Sequence, residues 1–83
     1  MLRIIYFARL RELLGPGEQI PLPEGVSTVA ELRRWLGSRG EPWRRELMEH
    51  ANLCVAVNHD YATDDRRLRS GDEVGFFPPV TGG

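Results

Sequence analysis

One amphipathic helix is all this chain offers to cover a sheet, and that shortage constrains its architecture more than any other feature. Val29, Leu32 and Leu36 recur at helical spacing and form a single apolar stripe. Thr28-Val29-Ala30-Glu31 predicts the helix start as a capping box, with Thr28 as N-cap and Glu31 reaching back to it. Gly37 and Gly40 stop the helix. The segments around it read mostly as strands. Residues 2–8 form a first strand rich in β-branched and aromatic side chains. Residues 9–14 make a short helical turn that Gly15-Pro16-Gly17 ends. Residues 18–22 form a second strand, antiparallel to the first, and Pro21 and Pro23 restrict it to a short run or an edge. A second helical segment spans 42–48, with Trp43 and Leu47 one turn apart. A third strand covers 53–57, Asn58-His59-Asp60 turns into a short strand at Tyr61-Ala62, and Ser70-Gly71-Asp72 turns into a last strand at 73–77. The order is β-β-α-β-β(-β), and its simplest compact solution is an α+β roll with the helix across one face of the sheet. The first and last strands are the longest apolar segments and belong at its centre.

Eighty-three residues hold one modest core, since a chain of this size buries roughly 60–65% of its unfolded surface. No separate catalytic lobe fits. No apolar run approaches a membrane span, and Met1-Leu2-Arg3 opens no signal peptide, so no membrane partner is expected. A lone cysteine, Cys54, excludes an internal disulfide framework and suits a reducing cytoplasm. The formal charge is −1, and all eleven basic residues are arginine. Arginines 33, 34, 39, 44 and 45 come closest to a nucleic-acid patch, but Glu31, Glu41, Glu46 and Glu49 interleave with them, so a solvated helix surface is the better reading. Without lysine the chain has no ε-amine for an isopeptide or Schiff base. Its C-terminal carboxylate is then its most distinctive reactive group.

Strand parity sorts the faces. In the first strand Leu2, Ile4, Tyr6 and Ala8 share one side, and Arg3, Ile5 and Phe7 the other; in the last, Val74 and Phe76 oppose Glu73, Gly75 and Phe77. The side with Arg3 and Glu73 is the solvent side. Ile5, Phe7 and Phe77 then make an apolar cluster where a solitary protein would be polar, which marks either a partner site or a surface covered by a loop or by the 42–50 segment.

Residues 78–83, Pro78-Pro79-Val80-Thr81-Gly82-Gly83, follow the last strand directly. Two prolines stiffen the arm, and its Gly-Gly tip fits a narrow active site that bulkier residues could not enter. Fully extended, the arm spans roughly 20 Å. No enzyme constellation appears elsewhere. His50, Cys54 and His59 match no structural zinc spacing and fall on different elements, so no metal site is expected. Gly15-Pro16-Gly17 is too short for a phosphate loop. Trp35 and Trp43 read as packing residues, and Asp64, Asp65 and Asp72 as solvated loop residues.

Tyr6-Phe7-Ala8-Arg9-Leu10-Arg11-Glu12-Leu13, Ala56-Val57-Asn58, Asp65, Leu68 and Gly71-Asp72-Glu73-Val74 lead to the string Phe76-Phe77-Pro78-Pro79-Val80-Thr81-Gly82-Gly83. Together they resemble the small subunit of molybdopterin synthase over almost the whole chain. The resemblance implies a β-grasp (ubiquitin-like) domain at 1–77 and an extended Gly-Gly tail at 78–83. It implies a sulfur carrier with no bound cofactor. An E1-like adenylating enzyme would use ATP to activate the Gly83 carboxylate, and a sulfur donor would convert the acyl-adenylate to a thiocarboxylate. The partner implied is the large subunit of the synthase, in a heterotetramer, and the sulfur acceptor is cyclic pyranopterin monophosphate. Positions aligning with the family's contact surface are Phe7, Tyr61 and Phe77; Tyr61 stands where an aliphatic residue is common. A ubiquitin-like protein modifier, a sulfur carrier for tRNA thiolation and a plain interaction domain remain as alternatives, the first two sharing the activation step.

Overall fold

The computed structural model describes residues 1–50 and 52–78. Eight elements follow in order: β1 (Leu2–Tyr6), α1 (Arg9–Leu14), β2 (Gly17–Ile20), α2 (Val29–Gly37), α3 (Trp43–Met48), β3 (Cys54–Val57), β4 (Asp60–Ala62) and β5 (Glu73–Phe77). The strands form one mixed sheet in the order β2-β1-β5-β3-β4. β1 and β5 run parallel; the other neighbours are antiparallel. The two most apolar strands therefore lie inside the sheet, and β2, flanked by proline, forms an edge. This is the expected β-grasp arrangement, a mixed sheet with one main helix across it.

Parity decides what is buried. Leu2, Ile4 and Tyr6 of β1 and Val74 and Phe76 of β5 join Val55 and Val57 of β3 in the core, where they meet Leu10 of α1, Val29, Leu32 and Leu36 of α2, and Leu47 of α3. Each such side chain contributes about 1.5–3 kcal/mol through removal from water, so this inner face supplies most of the stability. Ala8 departs from the expected inward set. The strand ends at Tyr6, and Ala8 turns the chain into α1 at φ 52°, where it is exposed. The 42–50 segment does not cover the outer cluster; α3 packs beside α2 and places Leu47 in the core.

The start of α2 combines local and tertiary capping. Thr28 Oγ1 accepts from the Glu31 N–H at 3.3 Å, as expected of the N-cap. The Glu31 carboxylate reaches one residue further back than the capping box predicts. It accepts from the N–H and the hydroxyl of Ser27, both at 2.8 Å. A loop explains the displacement. Residues 64–68 run along the helix start, so that the N–H groups of Val29 and Ala30 donate to the carbonyls of Arg66 and Asp64, and Leu68 N–H donates to Ser27. With its first donors satisfied by that loop, the helix leaves Glu31 to order the residue before the cap.

One charged residue goes inside. The Glu46 side chain is 2% exposed and lies among Arg45 Nε at 3.1 Å, His50 Nε2 at 3.4 Å and Arg9 Nη2 at 3.6 Å. A buried carboxylate of this kind is tolerated because the guanidiniums of Arg9 and Arg45 stand beside it.

Candidate functional site

The outer face of the sheet carries the candidate site. β5 pairs with β1 so that Gly75 lies beside Ile5 and Glu73 beside Arg3. On its other side β5 pairs with β3, setting Ala56 beside Gly75 and Cys54 beside Phe77. Side chains at these paired positions share a face. Phe7 follows β1 directly, and its N–H donates to the Phe76 carbonyl at 3.1 Å, which carries the parity one residue past the strand.

Phe7 and Phe77 stack with ring centroids 4.4 Å apart and planes 2° from parallel. Gly75 makes this stack possible. A Cβ there would stand 3.0 Å from Phe7 Cε2 and 3.4 Å from Phe77 Cε1, so the missing side chain lets both rings lie down over the sheet. Tyr61, on β4, tilts against Phe77 at 6.5 Å and 55°. It is 83% exposed, and Phe7 is 38% exposed. Ile5, Phe7, Ala56, His59, Tyr61, Glu73, Gly75 and Phe77 together line a shallow groove of about 400 Å³. The three residues expected at a contact surface are thus neighbours along one groove. Parity placed Ile5, Phe7 and Phe77 on this face, and the resemblance added Tyr61; Gly75, which shapes the bed, gave no signal beyond its place in the strand.

Phe77 is both a wall of this groove and the end of β5, and Pro78 follows it half-buried. The remaining expected tail residues, Pro79, Val80, Thr81, Gly82 and Gly83, lie outside the described residues.

The inner side of β1 holds a second constellation that the sequence did not reveal. Arg39 donates to both oxygens of Glu18 at 2.8 and 2.7 Å, and its guanidinium lies 5.2 Å from the Trp35 ring and 5.3 Å from the Trp43 ring. The Tyr6 hydroxyl donates to the same carboxylate at 3.1 Å. Arg39 holds the Glu18 carboxyl below the usual carboxylate range, and Glu18 in turn raises the guanidinium. Burial first, then the Glu18 charge, pushes the Tyr6 phenol well above its ordinary value. This network ties β2 to the region after α2 and is structural: its acidic and basic groups neutralise each other.

The remaining candidates stay apart. His50 faces Glu46, His59 faces Glu73 at 3.5 Å, and the Cys54 thiol donates to the Asn52 carbonyl at 3.7 Å. Among the described residues, no group of three or more His, Cys, Asp or Glu side chains is placed to hold a metal ion. Arg33, Arg39, Arg44 and Arg45 pair with Asp64, Glu18, Glu41 and Glu46. Arg44 and Glu41 pair in solvent, as the interleaved charges predict, whereas Glu46, expected on the same solvated surface, is buried. No helix among the described residues is long and apolar enough to cross a membrane.

The sequence matches the model of the ThiS family over residues 4–83. It is 39% identical to the molybdopterin synthase sulfur carrier subunit of Haemophilus influenzae, with the whole of both chains aligned. The fold resembles that of a putative molybdopterin converting factor, subunit 1, from Pyrococcus furiosus, at TM-score 0.76 and 40% identity, covering 95% of this chain and 97% of that one. It also resembles a chain in the complex of subunits 1 and 2 of the molybdopterin-converting factor from Helicobacter pylori, at TM-score 0.62 and 24% identity, covering 99% of this chain and 97% of that one; at that identity the likeness speaks to fold alone.

Proposed function

The chain belongs to the ThiS family, and from that premise we propose that it is the sulfur-carrying small subunit of molybdopterin synthase. One observation carries the reading from fold to function. The aromatic groove is built at the root of the Gly-Gly arm, with Phe77 serving as its wall and Pro78 as the first residue of the arm. A surface that docks a partner and an arm that leaves from its edge are what a carrier needs to deliver a group into that partner's active site.

The chemistry follows from the carboxylate. A carboxylate is a poor electrophile. Adenylation of Gly83 by an E1-like enzyme releases pyrophosphate from ATP and leaves AMP as a good leaving group. A sulfur donor displaces AMP and leaves a thiocarboxylate. Phe7, Tyr61 and Phe77 seat the domain on the large subunit while residues 78–83 thread into it. The thiocarboxylate sulfur then attacks cyclic pyranopterin monophosphate from a fixed position, and water hydrolyses its bond to the Gly83 acyl carbon, which leaves the sulfur on the pterin and returns the carboxylate; a bimolecular transfer becomes a positioned one. Two sulfurs build one dithiolene, so two loaded carriers serve each pterin. The acid–base and pterin-binding groups belong to the large subunit, and ATP is used by the activating enzyme. The lone thiol at Cys54 suits a cytoplasmic protein.

The test is reconstitution. Thiocarboxylated protein is mixed with the large subunit and cyclic pyranopterin monophosphate, and molybdopterin is measured alongside the mass of the carrier. Formation of the dithiolene, with return of the carrier to its carboxylate mass, is the expected result. Loss of sulfur without dithiolene in a competent large-subunit preparation contradicts the assignment. Covalent high-mass ladders in cell extract would favour a protein modifier instead.

A further inference from the structure

The outer groove has one apolar end and one charged end, and the charged end has no role in the reading above. Glu73 sits two positions before Gly75 and four before Phe77 on the same face of β5, which sets its Cα about 7 Å from Gly75. Its side chain is only 28% exposed, yet its carboxylate accepts no hydrogen bond from the described residues. One guanidinium and one imidazole stand nearby at loose distances: Arg3 Nε at 3.9 Å and His59 Nε2 at 3.5 Å, with side chains 63% and 87% exposed. Both belong mostly to solvent, and neither completes the carboxylate's shell.

The backbone beneath Glu73 is fixed. Asn58 Nδ2 donates to Asp72 Oδ1 at 2.9 Å, its Oδ1 accepts from the Glu73 N–H at 3.0 Å, and its own N–H donates to the Glu73 carbonyl at 2.8 Å. A partly desolvated acceptor on a rigid base is preorganised for a cation from outside. An all-apolar segment lying in the groove would remove water from Glu73 and give it nothing in exchange. A guanidinium answers the whole surface, because it pairs a carboxylate with two donors and also tolerates aromatic neighbours.

We propose that the groove receives a segment of the large subunit in which an arginine lies beside an apolar side chain. The apolar group packs over Gly75 among Phe7, Tyr61 and Phe77, and the guanidinium binds Glu73. This rests on the docking role assigned to the face above, and makes Glu73 the residue that selects the partner. The aromatic bed supplies burial, and Glu73 rejects apolar segments that bring no cation.

Calorimetric titration of the large subunit, at low and high salt, tests the inference on wild type, Glu73→Gln, Glu73→Arg and Phe77→Asp, each first checked for an unchanged fold by thermal melting. Glu73→Gln should bind about tenfold more weakly at low salt and lose much of the salt dependence. Glu73→Arg should bind on the order of a hundredfold more weakly, and reversal of the partner's arginine to glutamate should restore it. Wild-type affinity and salt dependence in both Glu73 variants, with binding lost in Phe77→Asp, would overturn the proposal and leave the docking face standing. Wild-type binding by Phe77→Asp as well would remove the face itself.

Discussion

Glu18 shows how one side chain can govern the acid limb of stability. Its bidentate pair with Arg39 is partly covered, and Tyr6 adds a third donor. Because Arg39 lowers its carboxyl in the folded state, folding favours the ionised form. An unfolded glutamate titrates near about 4.3, so the pair's contribution is complete above roughly pH 5 and is lost as pH falls through the lower folded value. Glu18→Gln should therefore melt below wild type at neutral pH and converge with it as pH falls through the lowered folded value, the signature of a lowered carboxylate. Parallel melting curves across that range would show that the pair contributes nothing linked to protons. Glu31 is lowered as well, chiefly by the Ser27 hydroxyl, so the wild-type acid limb is flattened in the variant rather than abolished. None of this network was legible in the sequence: Glu18 and Arg39 stand 21 positions apart on different elements, and nothing local pairs them.

At the scale of elements, strand parity was legible because β1 buries one side and leaves the other more open, as Leu2, Ile4 and Tyr6 against Arg3 and Phe7 show; on β5 the outer side is itself partly covered, with Gly75 buried and Glu73 and Phe77 half-buried. The helix start was legible from Thr28, and Thr28→Ala should cost about 1 kcal/mol, seen as a Tm lowered by roughly 4–8 °C. A loss well below this would mean that the carbonyls of Arg66 and Asp64 cap the helix alone. The reach of Glu31 to Ser27 was not legible, because the loop at 64–68 that displaces it arrives from far along the chain. The β1–β2 connection carries a sharper demand. Gly17 adopts φ 151°, and a Cβ there would run into the Ile4 carbonyl oxygen of the paired strand. The obstacle is backbone, which has no rotamer to yield. Gly17→Ala should destabilise by at least about 2 kcal/mol, with hydrogen-exchange protection lost first along β1 and β2. Intact protection there would show that the edge strand can shift register at little cost.

On the scale of the whole molecule, the domain is a scaffold that holds an aromatic groove at the root of a reactive arm. In the proposed reading its chemistry resides in the Gly83 carboxylate, which other proteins activate and use. Part of the aromatic lead-in was legible, because parity sets Phe77 on the face opposite the core residue Phe76; the expected arm beyond Pro78 lies outside the described residues. The groove's shape was not legible, since it depends on Gly75 admitting two rings from strands at opposite ends of the chain. Glu46 was read as a solvated helix residue and is buried instead; of its partners, Arg45 and His50 are local, but Arg9 lies 37 positions away. The central claim is that Gly83 carries sulfur, and the intact mass of the protein tests it most directly, after incubation with ATP, a sulfur source and the E1-like enzyme of the same cell. The account predicts a mass gain equal to one oxygen replaced by sulfur, localised to Gly83 and absent when a residue is appended after it. An unchanged mass, with the activating enzyme competent on another carrier, or equal loading of the extended chain, would contradict it.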